Sequence, residues 1–323
     1  MSEAHDRFYR DMAGLVWLGG EDRLAFLQRM STNRCADLVP GTGRATVLTD
    51  DSGRAVELLA CHAGASGAAL ITTALEATAT VAAQLRRYVM YQDRVTVTDA
   101  SEQVRVLRLL GPNAVAAARQ ATGIDLVGAA AGDWRESGAA SASIWAMRQV
   151  APGGLAGVDL VLPVGEPVEA MVAGLLDAGL LEGGPSDYTG ARIQAGLPAW
   201  GHEIDGRANP LELGLLELVD FDKGCYVGQE VVARLANYEK VQRRLVRFVA
   251  EGEAPEGAPV LPADPAQRAT TRGQGRVTSI ARAPDGRWRG LALVPLGLPD
   301  GAALELVDAD RPVVRARIEA GIG

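Results

Sequence analysis

The stretch of this chain richest in reactive side chains is Lys223-Gly224-Cys225-Tyr226-Val227-Gly228-Gln229-Glu230. Two glycines bracket a cysteine and an aromatic residue, so the backbone can turn sharply and approach a partner closely. The run from Gln229 to Leu235 reads as the start of a helix. A thiol just ahead of a helix N-terminus and near a lysine sits where thiolate is favoured over thiol. Cys225 is therefore a candidate reactive or metal-contacting group, with Lys223 or the backbone N–H groups from Gly228 onward to stabilise its charge. The competing reading is a small apolar residue packed in a core, the default for a lone cysteine, and residue chemistry alone leans that way. Lys223 and Lys240 are the two lysines among 32 Lys plus Arg. A compact ammonium rather than a guanidinium fork fits a special role for Lys223; a solvated turn residue fits equally well.

Little else in the composition points to a reactive centre. Cys35 and Cys61, the other cysteines, lie far apart and make the count odd. That argues against a disulfide framework and for a reducing, cytoplasmic setting; both are expected in the core. Without a Cys-x-x-Cys pair no zinc or cluster cage is expected, and His202 reads as a surface loop residue. The start of the chain, Met1 to Asp11, lacks the apolar core of a signal peptide. No apolar run approaches the roughly 18 residues of a membrane span. The formal charge of −8 argues against direct nucleic-acid binding, while leaving room for a local basic pocket for a small anion.

The elements that must position these groups follow from periodicity. A turn at Gly19-Gly20-Glu21-Asp22 opens a helix. Strands at Thr46–Leu48 and Val56–Ala60 flank Asp50-Asp51-Ser52-Gly53, a hairpin signal. A strand at Ala68–Thr72, a helix at Thr78–Tyr88 and a strand at Arg94–Thr98 complete a first α+β unit. Val104–Leu110, the helix Ala114–Ala121, strands at Ile144–Val150 and Gly157–Pro163 and the helix Pro167–Ala178 repeat that pattern in a second unit. The Gly/Ala/Ser-rich stretch Gly128–Ser143 reads as an exposed connection. From Val241 the texture changes: Leu245–Val249, Gly275–Ala281, Trp288–Val294 and Val313–Ile318 are short strands, and Ala254–Gln267 is a Pro-rich loop. Strands without helices predict a small barrel or sandwich. The expected division is residues 1–240 as two α+β lobes and 241–323 as a β-barrel.

The octet at 223–230 resembles the signature of the YgfZ family of folate-binding proteins, a branch of the glycine-cleavage T-protein (aminomethyltransferase) superfamily that includes mitochondrial iron–sulfur assembly factors. The similarity extends along the chain. Asp22-Arg23-Leu24-Ala25-Phe26-Leu27-Gln28 with Ser31-Thr32-Asn33, then Gly53-Arg54, match its N-terminal motifs. Arg192, Gly196, Pro198, Pro210 and Glu212 resemble its central segment, and Gly275-Arg276-Val277-Thr278-Ser279 its C-terminal barrel motif. The resemblance implies a GcvT/YgfZ-like fold: two α+β lobes around a central hole, plus a C-terminal β-barrel. It implies tetrahydrofolate or a derivative as ligand, held by Glu212, Arg192, Gln194, Tyr226 and Arg234, with Gly224, Gly228, Gln229 and Glu230 shaping the motif.

Two departures from the T-protein bear on chemistry. Its catalytic aspartate aligns with Thr80, Asp99 lying too far on to replace it, and a helical glutamate aligns with Gln194. A hydroxyl and an amide do not move protons as carboxylates do. The leading expectation is thus a folate-binding factor acting on iron–sulfur proteins through Cys225, with indirect effects on tRNA modification. The alternative is a tetrahydrofolate-dependent aminomethyl transferase. A third reading leaves the glycine–cysteine loop a packing element only.

Overall fold

A computed structural model describes residues 6–322, apart from 66, 138–142, 150–154, 166–167, 239, 271–272 and 308–312. The first lobe is a five-stranded sheet in the order β3-β4-β5-β2-β6, formed by β2 (Leu15–Gly19), β3 (Gly43–Thr49), β4 (Ala55–Ala63), β5 (Gly67–Ile71) and β6 (Thr96–Asp99). Helices α1 (Arg23–Met30) and α2 (Ala77–Arg87) cover one face, and Phe26, Leu27, Met30, Val81 and Leu85 pack there on Val16, Leu59 and Leu70. The expected hairpin is β3–β4. Asp50 Oδ1 accepts from the N–H groups of Ser52 and Arg54, and Gly53 takes the left-handed φ of +71° that closes the turn.

The second lobe is a six-stranded sheet in the order β11-β1-β7-β10-β9-β8. It contains β1 (Arg7–Arg10), β7 (Val104–Leu110), β8 (Trp134–Glu136), β9 (Trp145–Arg148), β10 (Gly157–Pro163) and β11 (Leu181–Glu182), with α3 (Ala114–Thr122) and α4 (Val168–Asp177) on one face. The lobes are therefore not consecutive in sequence: β1 pairs with β7 and β11 of the second sheet before β2 enters the first. β8 lies inside the stretch expected to be an exposed connection, where Trp134 packs against Trp145.

Next come α5 (Pro185–Ala195) and α6 (Gln229–Asn237). The closed C-terminal barrel runs β12-β15-β14-β13-β16-β17, built from β12 (Arg243–Ala250), β13 (Pro259–Pro262), β14 (Gly275–Arg282), β15 (Trp288–Pro295), β16 (Ala303–Leu306) and β17 (Val314–Gly321). The Pro-rich stretch is more ordered than a loop, holding β13 and the short helix α7 (Pro265–Thr270). Proline is placed there where it costs least, at strand ends and at a helix start.

The three units share cores. Leu15, Ala69 and Ile71 of the first sheet meet Val106, Met147 and Val161 of the second. Ala45, Val47 and Leu58 meet Ile193 and Leu197 of the α5 region and Leu245, Leu291 and Leu293 of the barrel. Polar groups fix the last junction: Arg192 donates to Glu203 Oε2 at 2.9 Å and to Ser279 Oγ at 2.7 Å, and Ser279 Oγ donates to Glu203 Oε1. All three side chains are buried, so α5 is tied to β14 by a satisfied charge pair rather than by apolar contact alone.

Candidate functional site

The lobes meet around a central cavity that is open to solvent. It is lined by Leu58, Ala60, Ile71, Thr72 and Thr73 of the first lobe, Arg108, Gln149 and Asp159 of the second, and Leu155, Tyr188 and Leu197 nearby; it is small, about 40 Å3. Register sets the first polar pair, because Arg108 on β7 lies opposite Asp159 on β10. The guanidinium clamps the carboxylate with two bonds, 2.9 Å from Nε to Oδ1 and 3.0 Å from Nη2 to Oδ2. Its Nη1 donates to the Tyr188 hydroxyl at 2.7 Å, and Gln149 Nε2 donates to Asp159 Oδ1 at 2.9 Å. Burial works against the Arg108 charge, but Asp159 and Tyr188 outweigh it and raise its pKa. Tyr9 meets the Tyr188 ring edge-on at 5.3 Å, and burial pushes the Tyr9 phenol up to about 12.

A second polar group lies behind the first-lobe wall, bonded to the lining residue Thr73. Glu57 on β4 has no solvent exposure. Its Oε1 accepts from the Thr73 hydroxyl at 2.8 Å and from the Leu58 N–H at 2.9 Å, while Oε2 has no partner among the described residues. Thr73 Oγ1 accepts in turn from the Trp200 N–H. Burial pushes the Glu57 carboxyl up to about 8, against the smaller pull of these hydrogen bonds and of Arg108. Glu57 therefore holds a proton at neutral pH. A buried carboxyl with a displaced pKa beside a cavity is a functional-site signal.

The signature segment lies elsewhere. Lys223 is buried, and its ammonium donates to the carbonyls of Gln28, Ser31 and Asn33 at the end of α1. Burial pulls its pKa down to about 8. With three N–H groups given to three carbonyls it has none left for Cys225, which corrects the expected thiolate partnership. Tyr226 is buried with its ring 5.2 Å from the Lys223 ammonium; its hydroxyl has no partner among the described residues, and burial pushes it up to about 12. Cys225 between them is exposed, unlike the buried Cys35 and Cys61, so the packed-cysteine reading of Cys225 fails.

The glycines earn their places here by close approach. Gly228 caps α6 at φ +82°, and a Cβ there would collide with the Asp50 carbonyl, as well as coming within 2.9 Å of Gly53 Cα. A Cβ on Gly53 would meet Val231 at 3.1 Å. The segment therefore clamps the β3–β4 hairpin and α1 to α6. Gly224 and Glu230 are exposed and Gln229 is half-buried.

None of the residues expected to hold folate lines the cavity. Arg192 is spent on the barrel junction. Glu212 pairs with Arg243 at 2.9 Å and Arg54 at 3.6 Å. Gln194 and Arg234 are exposed, and Gln194 engages Arg247 through its backbone carbonyl. Thr80 is exposed on α2. Asp99 borders a wider groove of about 400 Å3 between the two sheets, with Asp11, Glu76 and Arg105 at its wall. Among the described residues no group of acids, histidines and cysteines is arranged to hold a metal, and no helix is long and apolar enough to cross a membrane. The cavity residues had one signal in sequence: Asp159 interrupts an otherwise apolar strand, and Arg108 interrupts the apolar run Val106–Leu110.

Fold and cavity define a three-unit α+β protein with a polar pocket where its lobes meet. Residues 11–223 match the GCVT N-terminal domain, and the chain belongs to that family. It is 27% identical over 301 residues to an aminomethyltransferase of Herpetosiphon aurantiacus, covering 92% of this chain and 81% of that one. It is 28% identical over 236 residues to a chloroplastic protein of Arabidopsis thaliana named as a candidate transferase; those residues are 72% of this chain, which spans only 53% of that relative. In structure it is similar to the glycine cleavage system aminomethyltransferase T from Bartonella henselae, with a TM-score of 0.81 at 20% identity over 98% of this chain and 86% of that one. That likeness bears out the expected fold class.

Proposed function

We propose that the chain binds a reduced folate, tetrahydrofolate or a one-carbon derivative, in the central cavity. The observation that carries this reading is the polar wall: Arg108, Asp159, Tyr188, Gln149 and Thr73 line the cavity, with Arg108 clamped to Asp159 and bonded to the Tyr188 hydroxyl. A flat, polar heterocycle with apolar faces suits such a site, since Leu58, Ile71 and Leu197 supply the apolar walls. The family's aminomethyltransferases support a folate ligand. Calorimetric titration with tetrahydrofolate tests it; binding with a dissociation constant below about 100 μM is expected, and no heat at millimolar ligand refutes it.

In the same reading Cys225 faces a protein partner in iron–sulfur protein assembly or repair in the cytoplasm, with effects on tRNA modification following indirectly. Its support is an exposed thiol held between two buried anchors, Lys223 and Tyr226. Loss of iron–sulfur enzyme activity in cells carrying Cys225→Ala is the expected result, and unaffected enzymes would remove the role. The second reading, folate-dependent aminomethyl transfer, rests on the relatives' names. Exposed Thr80 and Gln194 weigh against it. Turnover of an aminomethyl-lipoyl carrier would restore it.

A further inference from the structure

Of the polar groups that line the cavity, the Tyr188 hydroxyl has a hydrogen to give and nothing in the protein to take it. Tyr188 of α5 is buried and borders the cavity. Its oxygen accepts from Arg108 Nη1 at 2.7 Å in a buried contact. A phenol both donates and accepts, whereas a guanidinium only donates, so Arg108 leaves the Tyr188 O–H unanswered. The lining groups that could accept it are engaged otherwise: Asp159 with Arg108 and Gln149, Thr73 with the Trp200 N–H and Thr72 with the Gly14 N–H. Among the described residues no acceptor meets that O–H. A buried donor left so costs free energy that an entering acceptor recovers.

Arg108 positions this donor. Asp159 clamps the guanidinium by two bonds, which fixes the direction from which Nη1 approaches the hydroxyl. A hydroxyl that accepts from a cation is also the more polar donor, because successive hydrogen bonds polarise one another. The space beside it is small. A cavity of about 40 Å3 holds about three water-sized groups, which is the edge of a ring, with the rest of a larger ligand towards the open mouth.

We propose that Tyr188 is a specificity-determining residue of this pocket, its O–H donating to a carbonyl oxygen on the inserted edge of the ligand. The proposal rests on the folate reading. On a tetrahydropterin it names the ring carbonyl, since the ring N–H groups on either side of that carbonyl are donors and would set hydrogen against hydrogen. A ligand with an amino group in place of the carbonyl loses the bond and leaves the Tyr188 donor stranded.

The test is anaerobic calorimetry of wild type and Tyr188→Phe with tetrahydrofolate and with its 4-amino-4-deoxy analogue, which carries an amino group where tetrahydrofolate has the ring carbonyl oxygen. Wild type should prefer tetrahydrofolate about fivefold, the worth of one net hydrogen bond. Tyr188→Phe should bind tetrahydrofolate about fivefold more weakly and the analogue within about twofold of wild type, so that the preference disappears. A hydroxyl that only props Arg108 would weaken both ligands alike in Tyr188→Phe and keep the preference. That result, or wild type binding both ligands equally, overturns the proposal while folate binding stands. Wild type that binds neither ligand overturns the folate reading and the proposal with it. Thermal melting shows whether Tyr188→Phe is folded; if it is not, the wild-type preference alone decides.

Discussion

The central cavity and the Lys223–Glu230 segment use buried charge in opposite ways. In the cavity wall, charged groups 51 residues apart in sequence are clamped together across the lobe, and behind it Glu57 Oε2 has no partner among the described residues. In the signature segment every donor of Lys223 is paired with a backbone carbonyl, and the reactive group, Cys225, is turned out to solvent. The first arrangement lines a pocket between the lobes; the second holds helices and a hairpin together beneath an exposed thiol. Residues conspicuous by type are thus mostly anchors, and the polar groups of the pocket come from residues that look ordinary until the strands are paired.

The sharpest way to break this contrast is at the clamp. Asp159→Ala leaves Arg108 buried and uncompensated, which should cost about 3–5 kcal/mol in urea denaturation and abolish folate binding. A loss below 1 kcal/mol would mean the pair is not the structural floor of the cavity. Lys223→Met should cost roughly 2–3 kcal/mol by stranding its carbonyl acceptors while leaving folate affinity within twofold of wild type; a large drop in affinity would merge the two regions into one site. Tyr188→Phe removes the Arg108–hydroxyl bond, and its expected cost is about 1 kcal/mol, with a few-fold weaker folate binding in calorimetry. Smallest of all, Cys225→Ala should change stability by no more than about 0.5 kcal/mol, as for an exposed side chain. Alkylation of the native protein should label Cys225 well before Cys35 or Cys61, and equal labelling of all three would contradict its placement.

How far the sequence reveals these regions depends on where each element's partners lie. The hairpin at Asp50–Gly53, the helix carrying Val81 and Leu85, and the strands Val104–Leu110 and Gly157–Pro163 are legible because their periodicity and turn residues are local. β1 is not, because Arg7-Phe8-Tyr9-Arg10 is too short to signal a strand and its partners lie about a hundred residues or more away. β8 and β13 are hidden in Gly/Ala-rich and Pro-rich composition, their strand character coming from neighbours rather than from propensity. The same limit governs the site. Arg108 and Asp159 become a pair only through the β7–β10 register, and Glu57 becomes a buried acid only when β4 is covered. Arg192 and Glu212, prominent by resemblance, are occupied by Glu203 and by Arg243, which the order of the chain does not disclose.

The central claim, that ligand binding belongs to the lobe junction and not to the signature segment, is tested most directly by calorimetry of tetrahydrofolate with three proteins. These are wild type, Cys225→Ala and Leu155→Trp, the last inserting a ring into the cavity from a half-buried wall position. Equal dissociation constants for the first two, and at least tenfold weaker binding by Leu155→Trp, are the predicted result. Unchanged binding by Leu155→Trp together with loss in Cys225→Ala would contradict it and move the ligand to the 223–230 segment.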